Sequence, residues 1–85
     1  MTVTTNSGFA CEVDESALDD MECVELVGRI DKGDTLAAPL FLAQLIGEEQ
    51  KKTLYDHVRN EKGRVPIGAV MDELWDILDG VGGKK

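Results

Sequence analysis

Phe9, Cys11 and Val13 alternate with Ala10 and Glu12, a period of two that turns every second side chain to one face of a strand. Residues 2–5 form another β-favouring run, and Asn6-Ser7-Gly8 between the two supplies turn residues. The pattern predicts a small N-terminal β-hairpin, or a frayed segment, over residues 1–13. Two strands alone are marginal in water, so the apolar side of such a hairpin must rest on the remainder of the chain.

From residue 16 onward the apolar positions repeat at helical spacing. Ser16 can cap a first helix whose apolar positions are Leu18, Met21, Val24, Leu26, Val27 and Ile30, closing at Lys32-Gly33. Steps of 100° leave Glu22, Glu25 and Arg29 as a narrow polar strip, with Glu25 placed to pair with Arg29. A helix so apolar around its circumference reads as the central one. Asp34 opens a turn, and Pro39 fits the first turn of a second helix that runs to Ile46 and ends at Gly47. Residues 40–46 hold a single polar side chain, Gln44, so both sides of this segment need cover.

A third helix, residues 48–60, carries Leu54, Tyr55 and Val58 on its apolar stripe and reads as a surface helix, with Glu48 placed to pair with Lys52. After Val65-Pro66, a fourth helix turns Ile67, Val70, Met71, Leu74, Trp75, Ile77 and Leu78 to the core. Asp72, Glu73, Asp76 and Asp79 take its opposite side, and Gly80 serves as its cap. The expected fold is mainly α, a compact bundle of about four helices over residues 14–80 with a small N-terminal β-hairpin and a flexible tail at 81–85.

Length and charge narrow the functional classes. A chain of 85 residues has room for one core, which at this size buries roughly 60% of the unfolded surface. A hydrophobic fraction of 42% beside 31% charged residues is that of a folding chain. Seventeen acidic against nine basic residues give a net charge of -8, a field that repels phosphate backbones and anionic lipid. Neither nucleic acid nor membrane is an expected partner. No run approaches the ~20 apolar residues of a membrane span, and the start lacks a basic and apolar signal segment, so the expected location is cytoplasmic. Cys11 and Cys23 stand in neither a CxxC nor a Cys/His spacing and read as small packing residues.

No reactive set emerges. The one histidine, His57, sits among Lys52, Asp56 and Arg59 on the surface helix, and the Gly-rich phosphate loop and metal spacings are absent, so the chain is not expected to be an enzyme or to carry a cofactor. The surplus of apolar surface is the positive signal. A strip at Phe41, Leu42 and Leu45, with the apolar end of the last helix near Trp75, is the candidate binding surface for a partner helix or a second copy. The competing expectation is that the other helices enclose this segment as core.

Residues 43–50 resemble the first helix and turn of a helix-turn-helix, although a recognition helix opening on Glu48-Glu49 would meet phosphate with like charge. Residues 21–27 resemble the second helix of acyl carrier proteins, but register places Asp20 where that family needs its modified serine. The acidity also fits a small regulator that binds a DNA-binding protein by imitating nucleic-acid charge. The most extensive likeness runs through Ser7-Gly8-Phe9, Cys11-Glu12-Val13-Asp14-Glu15, Leu18-Asp19-Asp20-Met21-Glu22 and Ile30-Asp31-Lys32-Gly33-Asp34. It continues in Gly47-Glu48-Glu49-Gln50-Lys51-Lys52, Leu54-Tyr55-Asp56-His57-Val58 and Gly63-Arg64-Val65-Pro66. This order of segments resembles the small tail assembly chaperones of long-tailed phages and prophages of Gram-positive bacteria. The resemblance implies a protein of the host cytoplasm that binds the tape measure protein, keeps it soluble, helps recruit tail tube protein and is absent from the finished particle. It also implies a longer product made by ribosomal frameshifting, and codons for Gly83-Lys84-Lys85 can supply the purine run on which ribosomes slip; the alternative reading of these residues is a polar solubilising tail or a cloning remnant.

Overall fold

The computed structural model describes residues 1–82. Strands β1 (Thr2–Thr4) and β2 (Ala10–Glu12) pair antiparallel with Val3 opposite Cys11, as the alternation predicts. Their shared face buries Val3 and Cys11, and Phe9 and Val13 continue it inward. The other face, Thr2 and Glu12, stays wet and is joined by a Thr2 hydroxyl bond to the Glu12 carboxylate at 3.0 Å.

The first helix begins later than the Ser16 cap predicts. Asp14 caps a short 3-10 turn, Glu15–Asp19, and Asp20 in extended conformation caps α1 (Met21–Asp31). The Asp20 carboxylate accepts from the Glu22 and Cys23 amides at 2.8 and 3.4 Å, which serves two of the orphan donors at a helix start. α1 buries Cys23 and Ile30, whereas Met21 and Val24 are 71% and 52% exposed. The helix therefore rests on the core by one stripe and is not the central element. Arg29 reaches forward to Asp34 at 3.0 Å rather than back to Glu25.

The central element is the first half of α2 (Ala38–Val58), entered through a 3-10 turn, Thr35–Ala37, that Asp34 caps. Pro39 falls in the first turn of α2, as expected. Phe41, Leu42 and Leu45 have no exposed surface, while Leu40 beside them is 55% exposed, so these three side chains are core and form no open strip. At Gly47, where the boundary between two helices is expected, the backbone does leave helical geometry, but the two segments meet across this one-residue kink as a single helix, α2, which gives three helices in place of about four. Gly47 makes the kink with φ 82° and ψ 162°, a conformation essentially confined to glycine. The carbonyls released there find other donors: Asp14 N bonds Leu45 O at 2.9 Å, and the Gln50 side chain bonds Ile46 O at 2.7 Å. Gln50 also exchanges two bonds with the Glu12 backbone, at 2.8 and 2.7 Å, and so covers the edge of β2. The second half buries Leu54 and half-buries Tyr55 and Val58, the expected stripe, while Glu48 pairs with Lys51 at 3.0 Å rather than Lys52.

Helix α3 (Ile67–Gly82) packs Val70, Leu74 and Ile77 against the core. It does not stop at Gly80. That residue lies inside the helix where α3 passes β1, and Val81 and Gly82 are helical too. Gly83, Lys84 and Lys85, with the tail and frameshift expectations attached to them, lie outside the described residues. No helix among the described residues is long and apolar enough to cross a membrane.

Candidate functional site

The exposed apolar surface follows from how much of each helix the core can accept. Along α3, Ile67, Met71, Trp75 and Leu78 recur at i, i+4, i+8 and i+11, an arc beside the one that Val70, Leu74 and Ile77 bury. The core takes the second arc fully and leaves the first as a shoulder, with Met71 and Leu78 half-buried against the core. Ile67 is 65% exposed and Trp75 38%.

Where this shoulder faces α1, the two helices bound a groove of about 400 Å³. Val24, Val27 and Gly28 form one wall, Trp75 and Leu78 the other, and Phe41 and Cys23 close the floor. The structure therefore brings two of the expected binding residues, Phe41 and Trp75, to one place. Leu42 and Leu45 are not part of the groove, and Phe41 offers its floor without accessible surface of its own. Val24, on α1, lay in the sequence as a core position. It is exposed because α1 turns the stripe of Cys23 and Ile30 inward, and Val24 stands beside that stripe.

Carboxylates border the groove. Asp31 lines its α1 end, and Asp76 and Asp79 flank Trp75 and Leu78 on the outer side of α3. Between Ile67 and Gly82 there are four acidic residues and no basic one. A second, smaller apolar groove of about 290 Å³ adjoins the other end of the shoulder, where Leu36, Pro39, Tyr55 and Val65 meet Ile67 and Met71. Both cysteines are free and buried. Burial pushes the Cys23 thiol above its ordinary value, helped by the carboxylates of Asp20, Glu22 and Asp14.

A polar cluster where the hairpin turn meets α2 and α3 was not legible in the sequence. Glu73, expected on the solvent side, is 5% exposed. Its carboxylate accepts from Thr5 Oγ1 at 2.7 Å and Ser7 Oγ at 2.6 Å. Each hydroxyl has one proton to give, so Ser7 Oγ accepts from His57 Nε2, 2.9 Å away. Nucleophilic catalysis would need the imidazole to draw the serine proton, with a carboxylate behind it. Here the carboxylate bonds the serine itself, and neither groove is lined by Ser7 or His57. Asn6 adds bonds to Asp76 at 3.1 and 3.3 Å, and Phe9 stacks obliquely on His57 at 5.5 Å. The cluster fastens the hairpin turn to α2 and α3.

The recognisable possibility that residues 43–50 form a helix-turn-helix meets a plain geometric difference: the chain bends at one residue, Gly47, without the three- to four-residue turn of that motif. No family model, curated protein or solved structure matches this chain. The groove between α1 and α3 is thus the feature on which a functional reading has to rest.

Proposed function

We propose that this chain is a protein-binding chaperone of the phage tail-assembly kind, and that it holds an amphipathic helix of a tape measure protein in the groove between α1 and α3. The observation that carries the reading is an open apolar groove with Val24 and Trp75 exposed on its walls. Helix-in-groove recognition uses such a surface, reading apolar anchors at i, i+3, i+4 and i+7. Charge selects among helices. Asp31, Asp76 and Asp79 at the border favour a client whose apolar stripe is flanked by lysine and arginine.

A long helical client with many such stripes would self-associate before the tube encloses it, and an acidic cover bearing a net charge of -8 would keep it dispersed. Recruitment of tail tube protein and action in the host cytoplasm belong to the same proposal. The competing reading, a regulator that imitates nucleic-acid charge, makes no use of the groove.

Trp75 is the sole tryptophan, so its fluorescence reports occupancy directly. Titration with peptides from the client's amphipathic segments should shift its emission to the blue and saturate. Val24→Asp should weaken this binding by about tenfold or more, as loss of a desolvated anchor does, and leave the helical circular dichroism intact. Binding unchanged by Val24→Asp would remove the groove as the site. Affinity that collapses on raising salt from low to physiological strength would favour charge mimicry instead. Phe41→Asp is a poor probe, because it places a charge at a position with no exposure.

A further inference from the structure

We infer that the shoulder of α3 is self-complementary and pairs, antiparallel, with the same helix of a second copy about a twofold axis between Met71 and Trp75. The inference uses part of the proposed client groove but needs no client, and it is testable with this chain alone.

Three observations carry it. Ile67, Met71, Trp75 and Leu78 form one unbroken apolar line, lining the smaller groove at one end and the larger at the other. Eleven residues of helix make that line about 16 Å long, three turns for a facing helix to match. Charge is graded along it. The turn before α3 contributes Arg59, Lys62 and Arg64 against one acid, Glu61, all exposed, with Arg59 held by Asp56 at 2.8 Å, while α3 itself contributes Asp72, Asp76 and Asp79 and no cation.

The grading decides the orientation. A parallel pair would set basic turn on basic turn and aspartate on aspartate. An antiparallel pair sets Arg64 of each copy beside Asp79 of the other, Ile67 against Leu78, and the Met71 sulfur on the Trp75 ring, a favourable contact for both groups. A twofold arrangement closes with two copies, so each of these contacts occurs twice. Trp75 and Leu78 are then covered, which makes the dimer the client-free form and places client and second copy in competition.

Sedimentation equilibrium of the full chain across a concentration series tests this. A reversible monomer-dimer equilibrium is expected. Arg64→Glu and Asp79→Arg should each weaken it by roughly tenfold, two exposed charge pairs being turned repulsive. The two substitutions together should recover the unsubstituted constant to within about threefold, since the pair is restored with signs exchanged. Ile67→Asp, at the exposed end of the line, should weaken the dimer by about tenfold or more with unchanged circular dichroism. A chain monomeric up to about 1 mM, a dimer indifferent to Ile67→Asp, or a double charge swap as weak as either single one would overturn the inference.

Discussion

Gly80 is where α3 comes closest to the hairpin, and it offers a test of the packing that positions both. A Cβ at Gly80 would lie 2.6 Å from Val3 Cγ1, and Val3 is itself only 5% exposed. A β-branched side chain in a strand has little χ1 freedom with which to move aside. Two terms then oppose each other in Gly80→Ala. Alanine gains about 1 kcal/mol over glycine inside a helix, while overpacking a close contact costs about 1–3 kcal/mol. The clash should offset or outweigh the gain, leaving a net destabilisation of about 0–2 kcal/mol. Gly28 is the control. It lies within α1 with nothing inside 4 Å of its added Cβ, so Gly28→Ala should stabilise by about 0.5–1 kcal/mol. Urea unfolding followed by circular dichroism measures both. In a Val3→Ala background the obstacle is gone, and Gly80→Ala should turn from destabilising to stabilising, a coupling that a double-mutant cycle reads directly. If Gly80→Ala stabilises the unsubstituted chain as much as Gly28→Ala does, α3 does not press on β1 at Val3.

Two further outcomes concern the polar contacts of the hairpin and the first turn. Glu73→Ala strands the Thr5 hydroxyl, which is buried at 6% exposure, and should cost about 1.5–3 kcal/mol in urea unfolding, the range for a hydrogen bond to a charged group. Ser7→Ala should cost less, because Ser7 is exposed and water can replace it. The Asp14 carboxyl is held below its ordinary 3.8 by hydrogen bonds from the Ser16 side chain and backbone. The folded state favours the ionised form, so this contribution is complete above the ordinary value and disappears as pH falls through the lowered one. Ser16→Ala should flatten that acid limb in unfolding curves taken from about pH 5 to about pH 2, and an unchanged slope would mean that the bond carries no linkage.

The hairpin was readable because its pattern is local. Phe9, Cys11 and Val13 alternate within five positions, and all three are buried as the period of two requires. The start of α1 was harder to place, since Ser16 and Asp20 are both good capping residues. The extended conformation of Asp20, φ −133° and ψ 119°, decides between them, and that depends on how the preceding turn packs. Glu73 could not be recognised as buried, because the hydroxyls that satisfy it are 66 and 68 residues distant in sequence. On its own helix it is indistinguishable from Asp72, Asp76 and Asp79.

The amount of surplus apolar surface was legible, but its location was not. Residues 40–46 have almost no polar side, so periodicity cannot tell an interior helix from one that lies at an interface. Packing resolves the ambiguity by a limit of size. A core of this chain's dimensions, with a radius of gyration of 12.2 Å, takes in the inward stripe of one segment, Phe41, Leu42, Leu45 and Ile46, and leaves Leu40 55% exposed. α1 and α3 then lie outside it and can each press only one stripe inward. α3 has more apolar arc than one stripe uses, and the excess, from Ile67 to Leu78, falls on the surface beside α1. The same competition for the interior that leaves Phe41, Leu42 and Leu45 without accessible surface is therefore what exposes Trp75. Substitutions that make these buried positions less apolar should loosen the core, whereas those at Ile67, 65% exposed at the start of the α3 shoulder, should leave stability nearly unchanged and alter association.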